Sequence, residues 1–98
     1  MKYQISRSAA RDLFEIGRYT FREWGQNQAD IYLSALETRF QWLTSNKPLW
    51  RKRPDIHENL YSYQHERHII VFRERDEGLR IIRVLHERMD LAGRAGEK

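Results

Sequence analysis

Arginine dominates the chemistry this chain can offer. Of its 98 residues 18 are basic, 14 of those are arginine, and the formal net charge is +4. The planar guanidinium fork matches carboxylate and phosphate and stacks on rings. An acidic partner is therefore expected: nucleic acid, an enzyme of nucleic acid, or an acidic peptide. Two stretches concentrate that chemistry. One is Trp50-Arg51-Lys52-Arg53, where a charge run follows an indole and Tyr61 lies further on. It reads as a solvated loop or as a grip on phosphate or an acidic helix, with the rings adding contact area. The other is the ending Arg83-Val84-Leu85-His86-Glu87-Arg88-Met89-Asp90. Arg83 alternates with Ile82 and Val84, so it is expected to share a face with Ile81 and Leu85. A guanidinium in that setting must be paired or face a partner. Glu87 and Asp90 are the intramolecular candidates. A partner contact is the reading taken, so Arg83→Ala is expected to weaken binding more than folding.

The four histidines, His57, His65, His68 and His86, show no spacing at which three or four ligands would converge on a metal, and no metal or cofactor is expected. His86 reads first as a hydrogen bond fixing the end of the last strand, with a partner contact as the alternative. Trp24 and Trp42 lie on or near helical stripes and are expected in the core. Trp50, in a loop, is expected to be exposed.

Composition limits the function classes. The chain is 40% hydrophobic and 33% charged and lacks cysteine, which excludes disulfides and thiolate metal sites and suits a reducing cytoplasm. No apolar run is long enough to span a bilayer, and the opening Met1-Lys2-Tyr3-Gln4-Ile5 turns polar too soon for a leader, so no membrane role is expected.

The elements that must position these residues follow from period and punctuation. Residues 2–6 alternate as a short strand. Ala9, Leu13, Ile16, Thr20 and Trp24 then step by three or four, predicting a helix to Trp24 capped at its start by Ser6 or Ser8. Asp12 is expected to favour the positive end of that helix. Gly25 ends it in a left-handed conformation. Ala29, Tyr32, Leu33, Leu36, Phe40 and Leu43 predict a second helix over 27–45, stopped by Pro48. Residues 49–59 read as a loop. Leu60–Tyr63, Arg67–Arg73 and Leu79–His86 read as strands joined by tight turns, with Gly78 free to take positive φ. The order β-α-α-β-β-β predicts an α+β domain over 1–90, an antiparallel meander packed on a helical hairpin in two layers. Residues 91–98, small and aperiodic, are expected to form a flexible tail.

In that order, Asp12-Leu13-x-x-Ile16-x-x-Tyr19-Thr20 and Trp24-Gly25-x-x-Gln28-Ala29-x-x-Tyr32 resemble the helical half of the ParE toxins of bacterial toxin–antitoxin pairs. Leu43 to Pro48, His68-x-Ile70-x-Phe72-Arg73 and Ile82-Arg83-Val84-Leu85-His86-x-Arg88-Met89-Asp90 extend the likeness over about nine-tenths of the chain. The resemblance implies the RelE/ParE fold and a cytoplasmic type II toxin that traps DNA gyrase on cleaved DNA. It implies neutralisation by the acidic C-terminal segment of a ParD-like antitoxin. The apolar helical groove is separately expected to favour a homodimer or a toxin–antitoxin heterotetramer. Gyrase would supply the chemistry, so no enzymatic activity and no sequence-specific nucleic-acid binding are expected of the toxin itself. Trp50, Arg51, Arg53, Arg83, His86, Arg88 and Asp90 form the expected contact set for antitoxin or gyrase.

Two alternatives stay open. RelE-like relatives are ribosome-dependent messenger-RNA endoribonucleases that use clustered cations and a tyrosine near the C-terminus. Here the last tyrosine is Tyr63, although His86 has a suitable unperturbed pKa. The other alternative is an antitoxin-binding module without toxic activity.

Overall fold

Strand β1 (Lys2–Ile5) leads into helix α1 (Arg7–Trp24), and Gly25 alone separates α1 from α2 (Gln26–Leu43) in a computed structural model that describes residues 2–89. A short 3-10 turn (Lys47–Leu49) and a two-residue strand β2 (Arg51–Lys52) follow, then β3 (Tyr61–His65), β4 (His68–Arg75) and β5 (Gly78–His86). Five strands form one sheet in the order β1-β5-β4-β3-β2. The meander β3-β4-β5 is antiparallel, as the two tight turns require. β1 joins β5 in parallel, so the sheet is mixed. The strand inside the expected loop is the other addition: Arg51 and Lys52 pair with Ser62 and Tyr61.

Ser6 is the cap that starts α1. Its hydroxyl accepts from the Ala9 amide at 3.0 Å and donates to the Ile82 carbonyl at 2.8 Å, tying the helix start to β5. Gly25 has the expected positive φ, 96°, but its ψ of 170° is extended, a combination that essentially only glycine adopts. It closes α1 through its amide to Phe21 and turns the chain straight into α2. Gly78 does not take positive φ; among the described residues that conformation occurs at Gly25, Asn59 and Glu66. Gly78 is needed for another reason: a Cβ there would run into the Lys2 carbonyl where β1 lies against β5.

Ala29 of α2 is buried, as are Leu36, Phe40 and Leu43, and Leu13, Ile16 and Leu33 pack against the last three. With Ile70, Phe72, Leu79, Ile81 and Val84 they fill the layer between hairpin and sheet. The sheet's other face is partly covered too. Ile56 and Leu60, from the 53–60 segment, pack on Val71, Ile82 and Leu85. That second cover explains why β4 and β5 are apolar almost throughout.

One irregularity sets the register of β5. Val71 pairs with Arg83 and Phe72 with Ile81, so Ile82 is an extra residue, a β-bulge. Ile81 and Val84 therefore both face the helices, while Ile82 and Leu85 both face away. The expected common face of Ile81 and Leu85 is corrected by this bulge.

Candidate partner-binding site

Arg83 meets α1. Its Nε donates to Asp12 Oδ2 at 2.8 Å and its Nη2 to Asp12 Oδ1 at 3.0 Å, a two-pronged pair. Asp12 Oδ2 also accepts the Val84 amide at 2.9 Å. The side chains are 16% and 13% exposed, so the pair is largely out of water. Asp12 thus anchors α1 to the bulged end of β5 instead of serving the first turn of its own helix. Spacing gave no hint of a partner 71 residues away; only a carboxylate on the rim of the apolar stripe signalled it. Of the carboxylates expected to serve Arg83, Glu87 accepts from Gln64 at 2.8 Å, and Asp90 lies outside the described residues, as does the tail.

His86 Nδ1 accepts the Arg88 amide at 3.2 Å, the strand-end hydrogen bond expected of it. The Arg88 side chain is exposed. Trp50 departs from expectation. It is 9% exposed, its indole donates to the Leu43 carbonyl at 2.8 Å, and its ring stands edge-on to Phe72 at 5.0 Å and Tyr61 at 5.1 Å. A loop residue can be core when a 3-10 turn swings it inward, which composition does not reveal. Arg51 and Arg53 stay together beside a groove of about 320 Å³ lined also by Leu49, Ser62 and Ile69. Arg53 is partly committed there, pairing with Asp55 at 2.8 Å and donating to Ser62 Oγ at 3.2 Å. Asp55's carboxyl is held below its ordinary range, chiefly by that hydrogen bond. Among the described residues no hydrogen bond or ion pair links the Arg51–Arg53 loop to Arg83, His86 or Arg88.

A second polar group was not expected. Tyr32 of α2 reaches His68 on β4, Oη to Nδ1 at 2.7 Å. His86 packs against His68 with ring centroids 5.6 Å apart, and His65 faces Tyr32 at 5.8 Å. Burial, then His86 and His65, push His68 down from 6.5 to about 4, and Glu87 and Asp12 oppose this weakly. Burial, reinforced by Glu66, pushes Tyr32 up to about 12. Both groups are therefore uncharged near neutral pH: Tyr32 keeps its phenolic proton and His68 is a neutral imidazole. His65 is also lowered, first by burial and then by Arg39, whose Nε approaches its Nδ1 at 3.5 Å.

The sign of the resulting pH dependence is fixed. Above 6.5 both folded and unfolded His68 are neutral. As pH falls from 6.5 toward 4 the unfolded chain takes up the proton first, so stability is lost across that window. Because His68 is only half-buried, solvent screening reduces the expected loss to about 1–2 kcal/mol. Urea unfolding at pH 7 and pH 4.5 should show it, and His68→Asn should flatten the dependence. Equal slopes for the two proteins would refute the assignment.

Beside this group lies an open groove of about 370 Å³, lined by Thr20, Trp24, Gln28, Tyr32, Glu66 and Arg67. Trp24, expected in the core, is 71% exposed at its rim. Phe14 and Phe21, seven apart and hence on one side of α1, are also exposed. The core stripe at residues 9, 13, 16 and 20 leaves them on another side, a legible but unused signal.

Similarities to known proteins agree with this geometry. The chain is 31% identical over 91 residues to Toxin ParE1 of Mycobacterium tuberculosis, covering 92% of this chain and 93% of that one. It is 31% identical over 97 residues to Toxin ParE of Escherichia coli, covering 98% and 94%. A chain in a solved structure of a chromosomal ParDE TA system from P. aeruginosa superposes with a TM-score of 0.75, covering 88% of this chain and 95% of that one; at 19% identity it shows a shared fold. The family described as ParE toxin of type II toxin-antitoxin system, parDE, matches residues 3–91. With nearly its whole length matched, this chain belongs to the ParE toxin family of type II toxin–antitoxin systems.

Proposed function

We propose that this toxin poisons DNA gyrase, contributes no covalent chemistry of its own, and is silenced by a ParD-like antitoxin. The observation that carries the reading is the family match across residues 3–91, which includes the Arg83-Val84-Leu85-His86-x-Arg88 ending. Poisoning then works by differential binding: a protein that holds the cleaved gyrase–DNA state more tightly than the resealed one shifts the population toward breaks. The polar groups near the strand end fit a non-catalytic role. Arg83 is engaged by Asp12, His86 Nδ1 by the Arg88 amide, and Tyr32 holds its proton up to about 12. The ribonuclease alternative is disfavoured by the same commitments and by the lack of a tyrosine after Tyr63.

For the antitoxin, the exposed rings Phe14, Phe21 and Trp24 and the groove running to Arg67 offer apolar anchors next to a cation. That suits an acidic amphipathic segment. A homodimer or toxin–antitoxin heterotetramer would cover the same rings. Purified toxin, gyrase and supercoiled plasmid form the test. Nicked and linear DNA should accumulate with toxin and disappear when antitoxin is added first. No increase in cleaved product would sink the proposal, and ribosome-dependent messenger-RNA cutting would promote the ribonuclease in its place. Normal growth and chromosome segregation on induced expression would point to an inactive antitoxin-binding module.

A further inference from the structure

The sheet face turned away from the helices carries an arrangement that the fold alone does not justify. Arg73 on β4 stands directly opposite Arg80 on β5. Their sequence neighbours Phe72, Leu79 and Ile81 lie in the core under the helices, so both arginines point to the opposite face. Like charges placed directly across an antiparallel pair are destabilising. Arg75, two residues beyond Arg73, adds a third cation to that face. Arg7, from the first turn of α1, adds a fourth around the same cavity of about 270 Å³.

Nothing in the described chain neutralises them. Every described ion pair lies elsewhere: Arg18–Glu15, Lys47–Glu74, Arg53–Asp55 and Arg83–Asp12. Arg80 reaches only the neutral Gln4, at 3.5 Å, and Arg73 Nε is buried with no acceptor. Asp76 and Glu77 line a neighbouring groove with Arg75 without pairing to it. The cavity also receives the N-terminal end of an 18-residue helix whose first turn holds no acidic residue. The helix dipole and the Ser8 hydroxyl add to the same positive, donor-rich character. Four guanidinium forks that meet no carboxylate among the described residues define a site for an anion that brings several oxygens at once.

We propose that this face binds the phosphate backbone of duplex DNA without regard to sequence. Of the seven lining residues only Ile82 is apolar, and it is 7% exposed, so an acidic amphipathic peptide would find no side-chain anchor there. Phosphates need none. The preference for DNA over RNA rests on the gyrase reading above: a toxin working on a gyrase–DNA complex meets duplex DNA at high local concentration. The cavity's position also separates the two surfaces. The antitoxin's proposed anchors lie on the helical side and the phosphate site on the sheet's other face.

Fluorescence anisotropy of a labelled 20-bp duplex of arbitrary sequence, titrated with the purified toxin at 50, 100 and 200 mM salt, tests the site. Four phosphate contacts should give a log–log salt slope of about −3 to −4, and R73Q/R80Q should make it shallower by about 2. The variant should also bind about tenfold or more weakly at 50 mM salt, while its melting temperature stays level or rises as the repulsion is relieved. Arg11→Gln, an exposed cation on α1 outside the cavity, should bind nearly as the unaltered protein does. A slope shallower than about −1 would overturn the site. So would unchanged affinity in R73Q/R80Q, tighter binding of single-stranded RNA of equal length, or displacement of the duplex by polyglutamate at equal charge. No gyrase is present in this titration, so a negative result removes the DNA site and leaves gyrase poisoning to be judged by the cleavage assay.

Discussion

Asp12→Ala should lower stability by about 3 kcal/mol, at the low end for removing one partner of a buried ion pair. In a domain of this size that corresponds to a fall in melting temperature of about 12–24 °C. The substitution strips three hydrogen bonds at once, two from the Arg83 guanidinium and one from the Val84 amide. It leaves a largely buried cation without that carboxylate. Arg83→Ala should cost less, because Asp12 keeps the Val84 amide and can draw in water. The double variant should be milder than the sum of the singles, since each change removes the reason for the other. Circular-dichroism melts of the four proteins would decide the matter. A fall of less than about 5 °C for Asp12→Ala would mean that the pair is solvated and contributes little. The result also bears on function. Arg83→Ala was expected from sequence to weaken partner binding more than folding; with Arg83 bound to α1, a loss of partner binding counts as direct contact only after correction for the unfolded fraction.

Trp50→Ala should be the most damaging single truncation outside the central core, at about 3–5 kcal/mol. The indole packs edge-on against the stacked rings of Phe72 and Tyr61, and its N–H satisfies the Leu43 carbonyl at the end of α2. Truncation creates a cavity and orphans a buried acceptor. Leu49→Ala is the matched control. Its side chain is 54% exposed, and the change should cost less than about 0.5 kcal/mol. Equal, small effects at both positions would return Trp50 to the surface role that its sequence context suggests.

The elements could be read from the sequence because each rests on a local rule. The stripe Leu36, Phe40 and Leu43 spaces itself as a helix wherever it occurs, and the runs of β4 and β5 read as strands because little else buries so many branched residues together. The cap at Ser6 and the break at Gly25 are equally local. What could not be read depends on register and on distance along the chain. The bulge at Ile82 reverses which residues share a face after Ile81, and no residue type announces it. The Asp12–Arg83 pair, the Tyr32–His68 hydrogen bond and the cavity formed by Arg7 with Arg73, Arg75 and Arg80 each join segments far apart in sequence. The two family-bearing stretches around Asp12 and Arg83 look independent as text, yet in space they meet in one ion pair. Trp24 and Trp50 exchanged their expected places for a similar reason: a helical stripe ends where the sheet beneath it ends, and a loop goes inward where a gap needs filling.

The parallel seam between β1 and β5 has a consequence for synthesis. The opening strand cannot find its neighbour until Gly78 to Ile81, its partners in β5, have been made. At roughly 5–20 residues per second, the wait from Lys2 to Gly78 is on the order of 4–15 s. The helical hairpin is complete once Leu43 has been made, so for the last part of that interval, about 2–7 s, it lacks the full sheet that is to seat it. A partner segment that recognised the hairpin alone would have those seconds in which to bind before the sheet is complete.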